Sequence, residues 1–519
     1  MSIIQPFAAG SYATGRNTAN LVNLKSQLDT LTTQLTTGRA AETYGGLGTG
    51  RSESLSAHAA LSALDGYDST ITTAQTRVQL ASASLTELSS LTTTLRKSID
   101  NAALNNGASA SNNALLARNG LDAAIDALNQ QSADQYLFGG RVSNTPPVVS
   151  TDTLLNGSTA PQKDGLKTVV QELINADIGT DVAAPNTGLG RLTLAAPVAP
   201  ATNLTLSAAS AATPPAFGFG LPSAPTAKGS AFTVTTAAAS PPSYQIGLSG
   251  NPAAGDSLTL TLALPDNTTR TITLTAMGSS AAGSTTDFAI DPTSPANTAA
   301  NLSTAIRNAL GYEANTTLSA SSVVRATQNF FDETGVKRVG FDASSNPVFL
   351  TAAQASAQTP PVSTVQWYQG EISSTDARGS ASVRVGATQT VEVGARANEA
   401  AIKAALTSLA AAAVSNAGVS ATTAQDRWNA VAQRTTAILP AAGTLETVAS
   451  DFSLAASSLS NAQSQNKTTR ATLQSSLDSV ESVTTEEVAA KLLATQNQLQ
   501  ASYQVTSMLS KLSLVNYLS

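Results

Sequence analysis

The chain has no cysteine and a single histidine among 519 residues. Without cysteine it forms no disulfide and no thiolate metal site. With one histidine, His58, it supports no HExxH zinc motif, no Cys-His dyad and no two-histidine metal site. Charged residues make up only 12% and aromatics 4%, with a net charge of −6. No basic groove is available for nucleic acid, so none is expected as a partner. No apolar run approaches the length of a membrane span, so no membrane insertion is expected. Met1-Ser2-Ile3-Ile4-Gln5-Pro6 has neither a basic region nor an apolar one, so no secretory signal is expected there. No GxxxxGK[ST] loop and no GxSxG elbow occur, and Gly45-Gly46-Leu47-Gly48 reads as a turn. The inventory leaves no catalytic constellation. We therefore expect no enzyme, no metal and no cofactor, with His58 on a helix flank and no triad built around it.

What the chain does have is helical periodicity. Ala57, Leu64, Ile71, Val78, Leu85, Thr92 and Ile99 form one seven-residue series. Ala60, Tyr67, Ala74, Ala81, Leu88 and Leu95 form the second, in the alternating three-four pattern of a coiled-coil seam. At about 1.5 Å per residue, six such heptads make a helix of roughly 60 Å. Leu21, Leu24, Leu28, Leu31 and Leu35 repeat the pattern and end at Gly38, a helix stop. So do Leu445, Val448, Phe452, Ala455 and Leu459, and then Val505, Met508, Leu512 and Val515. The expected rod core is Leu64, Ile71, Val78, Leu85, Leu88, Leu95, Leu445, Val448, Phe452 and Leu459. The helix 57–99 is expected to pack on 109–133 and 444–480.

Helices are read over 16–37, from the Gly-rich loop 40–52 to about 104, and over 109–133, 399–415, 421–439, 444–480 and up to 516, with residues 1–14 extended or frayed. Asn105-Asn106-Gly107 breaks the second. Thr484 or Thr485 caps the last, with Glu486 and Glu487 favourable in its first turn. Past Pro146-Pro147 the texture becomes β-like. Leu258–Leu264 and Thr271–Thr275 flank a turn at Pro265-Asp266-Asn267 and read as a hairpin. Short helices are read at 297–311 and 321–331, strands at Val365–Tyr368 and Thr390–Val393. The fold class expected is a multidomain α+β protein. Long antiparallel coiled-coil helices come from both termini, and an inserted, mainly β outer region lies between them. The expected divisions are 1–40 with 483–519, 41–145 with 397–482, and the insert 146–396, itself split as 146–225 plus 335–396 and 226–334. The insert is expected to join the helices near 141–148 and 385–396.

This nested layout resembles the bacterial flagellin family. Leu35-Thr36-Thr37-Gly38-Arg39 matches that family's L-x-(S/T)-T-G-(K/R) step. Gln498-Leu499-Gln500-Ala501-Ser502-Tyr503 and Leu512-Ser513-Leu514-Val515-Asn516-Tyr517-Leu518 carry the likeness at the other end. Tyr136-Leu137-Phe138-Gly139-Gly140 and the ending Asn516-Tyr517-Leu518 look more like the hook–filament junction protein (hook-associated protein 3). The resemblance implies a structural subunit that polymerises with itself into the extracellular flagellar filament. The alternative is the junction protein joining hook to filament. It implies type III export without a cleaved signal, and as partners the hook-associated proteins, the export apparatus and an export chaperone. It also implies an assembly interface at the terminal helices, through Leu21, Leu24, Leu28, Leu31, Leu35, Leu492, Leu499, Tyr503, Met508, Leu512 and Val515.

Overall fold

A computed structural model describes residues 7–103, 109–198, 200–359, 361–373, 375–416 and 422–518. The expected break at Asn105-Asn106-Gly107 lies outside them. The first helices are α1 (Phe7–Thr37), α2 (Arg51–Ala103), α3 (Ala110–Leu128), α4 (Thr151–Asn156), α5 (Leu166–Ile178) and α6 (Pro295–Glu313). Then follow α7 (Ser319–Phe330), α8 (Ala352–Ser356), α9 (Ala400–Ala413), α10 (Ala424–Thr435), α11 (Thr444–Glu481) and α12 (Thr485–Leu518). The protein is a mixed α+β chain with long helices in both terminal regions.

The chain forms two compact units. One comprises Met1–Gln75, Val383–Val391 and Ser457–Ser519; the other comprises Thr76–Ser382 and Glu392–Ala456. The boundaries fall inside α2 and inside α11.

In the first unit, α1 packs on α12, and the start of α2 lies beside the end of α11. Residues 7–14, expected to be extended or frayed, are helical and open α1. Gly38 ends α1 at φ 69°, a left-handed conformation that costs glycine little. Gly50 marks a close approach, since a Cβ there would stand 2.6 Å from Val480 Cγ1. Leu64, Ile71 and Leu459 are buried in this unit. Arg470 pairs with Asp65 at 2.5 Å and Asp68 at 2.9 Å across the two helices.

In the second unit, the later part of α2 contributes Val78, Leu85, Leu88 and Leu95, all buried, and α11 contributes buried Leu445 and Phe452. Val448 is only half-buried. Ser98 of α2 donates to Asn113 of α3 at 3.2 Å, and Ser89 to Glu446 of α11 at 2.8 Å. α3 packs closely on α9 at Gly120, where a Cβ would meet Leu409. α3 stops at Leu128, five residues before the expected end at 133. A hairpin, Gln131–Ser132 with Gln135–Tyr136, takes over there, turning through Ala133 and Asp134 at positive φ.

The insert leaves and returns through paired backbone. Ala397 N donates to Phe138 O at 2.9 Å and Gly140 N to Ala395 O at 3.0 Å. The departing joint, Phe138–Gly140, lies just before the expected 141–148, and the returning one falls at the end of the expected 385–396. Two four-stranded sheets follow. One runs in the order Thr193–Ala195, Asn203–Ser207, Pro242–Leu248, Phe232–Ala239. The other runs Asp287–Ala289, Thr269–Met277, Ser257–Ala263, Thr226–Lys228. The expected hairpin sits in the second, with Leu260 opposite Ile272 and Asn267 turning at φ 64°. Leu258, Leu260, Leu262 and Leu274 alternate with threonines and are buried. α6 lies against strands of both sheets.

The insert is not mainly β. Helices α4 to α8 lie within 146–396 alongside the sheets. The Leu166–Ile178 segment is amphipathic, and its apolar face, Leu166, Val169, Val170 and Leu173, packs on α7. Polar ties hold these helices. Asp177, fully buried, accepts from Ser322 at 2.7 Å, Arg325 at 3.2 Å and the Gly218 amide at 3.0 Å. Its carboxyl is nevertheless pushed up by burial, against the pull of Arg325. Residues 365–368, expected as a strand, make only isolated pairings such as Tyr368 with Val148; Trp367 packs on Phe331 instead.

Candidate assembly interface

The terminal helices are joined through backbone before any side chain meets. Ala40 N donates to Glu481 O at 2.7 Å, Val483 N to Gly38 O at 3.1 Å, and Arg39 bridges Ser482. The end of α1 is thereby held beside the start of α12, so the two run antiparallel. Thr484 caps α12 by accepting from the Glu487 amide at 3.3 Å. Glu486 and Glu487 occupy the first turn, where the helix dipole favours acids. Lys491 pairs with Glu487 at 2.7 Å and holds that carboxyl below its usual range.

On α1, Leu21, Leu24, Leu28, Leu31 and Leu35 are all half-buried. On α12 the covered stripe is Val488, Leu492, Thr495, Leu499, Ser502 and Thr506, in steps of four and three. Two expected interface residues are not on it. Tyr503 is 57% exposed and Met508 is 63% exposed. At about 100° per residue, Met508 lies roughly 200° round the helix from Val488, on the far side. The seam is set by Val488, and the positions in register with it at this end are Ser502 and Thr506. Spacing alone missed this because α12 has apolar residues on every side. The side chains of Leu512 and Val515 lie outside those described.

The same geometry leaves apolar groups uncovered. Leu493, Val505 and Met508 on α12, and Val22 on α1, are each more than half exposed. Sequence reading named Val505 and Met508 within a seam and passed over Leu493 and Val22. For Leu493 and Val22 the available signal was an apolar residue outside the three-four series.

Near the joint, His58 is not isolated. Its Nε2 lies 2.9 Å from Glu481 Oε1, and the buried Ser54 hydroxyl donates to the same oxygen. Tyr44 packs edge-on against the imidazole, with centroids 6.3 Å apart. The expected flank position holds, but a carboxylate and a hydroxyl do surround the ring. They do not form a triad, because serine and histidine share one carboxylate oxygen instead of bonding each other. The Ser54 hydrogen bond, more than His58, holds the Glu481 carboxyl below its ordinary range. The arrangement fastens the end of α11 to the start of α2.

A further element was not anticipated here. The hairpin segment Val383–Val391 belongs to this unit, with Val385 and Val391 buried. Asn466 of α11 donates to Val385 O at 3.2 Å, and Thr70 of α2 to Arg384 O at 3.1 Å. Asn466 falls seven residues after Leu459, at a seam position of the heptad. A polar residue there was the available signal that something other than a helix packs against it.

Among the described residues no group of three or more His, Cys, Asp or Glu side chains is placed to hold a metal ion, and no helix is long and apolar enough to cross a membrane. No protein-family model matches the chain, and no curated protein matches it.

Proposed function

We propose that this chain is a structural subunit of the flagellin type, which assembles with copies of itself into an extracellular flagellar filament and serves motility. The observation that carries the reading is the uncovered side of α12. A helix with apolar residues all round its circumference is stable in water only when it is surrounded. α1 covers one flank, and Leu493, Val505 and Met508 remain exposed. The chemistry that covers them best is the same helix pair in neighbouring copies. The finer architecture belongs to this reading too: terminal segments 1–40 and 483–519 as the assembling coiled coil, 41–145 with 397–482 as a rod, and 146–396 as the outward region. So do the partners, namely hook-associated proteins, the export apparatus and an export chaperone, and so does a role without catalysis.

The junction-protein reading is favoured by Tyr136-Leu137-Phe138-Gly139-Gly140 and Asn516-Tyr517-Leu518. Copy number separates the two: many copies along a filament, or one ring at a joint. The polymer reading is tested by removing residues 500–519. The expected product is a folded, soluble monomer that neither sediments as polymer nor forms filaments under the electron microscope. Leu493→Glu with Met508→Glu should do the same without shortening the chain. Normal filaments from both would refute the proposal.

A further inference from the structure

We propose that the cleft between α10, α7 and the tip of the 258–275 hairpin is a binding site for an uncharged saccharide. This goes beyond the polymer reading and does not depend on it. The cleft has a volume of about 630 Å³, and every residue lining it is among those described. Small-molecule sites usually enclose about 300–1,000 Å³. All of its walls belong to the second unit.

Those walls are tied to one another by side chains. Arg434 of α10 donates through Nε to Asp266 at the hairpin turn at 2.7 Å, and through Nη2 to Thr268 at 3.3 Å. Tyr312 of α6 donates to Asp426 of α10 at 2.7 Å. Arg270 of the hairpin donates to the buried Glu313 of α6 at 2.8 Å, and Thr317 donates to the other oxygen of that carboxylate. Thr317 stands in a π-helical turn, Ala314–Leu318, between α6 and α7. Such turns are rare and recur at functional sites. Here the turn presents Thr316 and Thr317 to the cleft. Walls fixed before a ligand arrives lose less freedom when it binds.

The same ties select the charge of the ligand. Arg434 and Arg270 are answered by Asp266 and Glu313, and Arg325, also on the wall, by the buried Asp177 at 3.2 Å. No lining cation is left over for a phosphate or a carboxylate. Asp426 is the one lining charge without an opposite partner among the described residues. A lone carboxylate repels anions and accepts readily from hydroxyl groups. What the cleft offers freely is amide. Gln328 of α7 and Gln433 of α10 line it, are exposed, and make no hydrogen bond among the described residues. A primary amide donates and accepts at once, which matches the neighbouring hydroxyls of a sugar ring. Val324, Ala430, Ala437 and Ile438 give the lining an apolar part, suited to the C–H face of the same ring. A purely apolar ligand would leave both amides unpaired.

The test applies the fluorescently labelled full chain to an array of neutral and acidic oligosaccharides. The parent should be retained by one or more neutral glycans, and the retention should persist at high salt. The best-retained glycan is then titrated by calorimetry. Gln328→Leu combined with Gln433→Leu, at two exposed positions, should weaken its binding about tenfold. Ala437→Trp, which puts an indole into the cleft, should abolish it. Gln162→Leu, exposed and outside the cleft, should bind as the parent does. Retention of acidic glycans only, retention of none, or equal affinity in the parent, the double variant and Ala437→Trp would overturn the proposal. If Ala437→Trp does not fold, the double variant and saturation-transfer NMR with the same glycan decide the matter. No transfer from the parent, or equal transfer from the double variant, would count against the site.

Discussion

Leu85→Ala offers a clean measure of the second unit's core. Leu85 is 1% exposed on α2. The change removes three buried carbons, worth about 0.8 kcal/mol each in transfer, and leaves a cavity that adds about 1 kcal/mol. The expected loss is about 3–4 kcal/mol. Both tryptophans of the chain, Trp367 and Trp428, are buried, and both belong to this unit. Tryptophan emission in a urea titration therefore reports this unit's unfolding. Leu454→Ala is the matched control, because Leu454 is 70% exposed on α11 in the same unit, and should cost under about 0.5 kcal/mol. Leu85→Asp should cost more than Leu85→Ala, since it leaves an unpaired charge in an apolar seam. If Leu85→Ala and Leu454→Ala shift the titration equally, Leu85 does not carry the core load assigned to it.

Two other outcomes follow from local geometry. Asp291 accepts from the Thr293 hydroxyl at 2.6 Å, from Asn297 at 2.8 Å and from the Thr293 amide at 2.8 Å, which bring its pKa down to about 2. Its folded pKa is below the unfolded value, so its contribution is complete above that value and is lost as pH falls through the usual aspartate range toward 2. Thr293→Val should raise the Asp291 pKa in a carbon-detected NMR titration, and an unmoved value would contradict the assignment. Gly50→Ala brings a Cβ within 2.6 Å of Val480 Cγ1 and should destabilise the first unit by about 1–3 kcal/mol, read by amide exchange in α11. Val480→Ala in the same chain should restore most of the loss; no rescue would place the strain elsewhere.

Much of the helical framework was legible because its causes are local. The heptads of α2, the left-handed stop at Gly38 and the Thr484 cap all depend on residues within one or two turns. The 258–275 hairpin was legible through strict alternation of leucine with threonine around Pro265-Asp266-Asn267. The insert was less so. Leu166–Ile178 carries an apolar stripe, but it sits among Pro- and Gly-rich segments whose texture reads as β. The end of α3 moved to Leu128 because residues 131–136 find ladder partners in a tight hairpin, which outweighs an otherwise helical composition.

The amino-acid sequence by itself determined the course of the long helices near both termini, the stop of α1 at Gly38, and that no thiol or two-histidine chemistry is available. Each of these is a matter of residue type or of neighbours a few positions apart. Only the tertiary structure decided which side of α12 is covered, because a helix apolar on all sides offers several equivalent seams until a partner occupies one. It also decided that Glu481 meets His58 and Ser54 across more than four hundred residues of chain. Likewise, whether a given arginine is answered by a carboxylate, as Arg434 is by Asp266, depends on what distant segments bring to it. No spacing in the sequence encodes that.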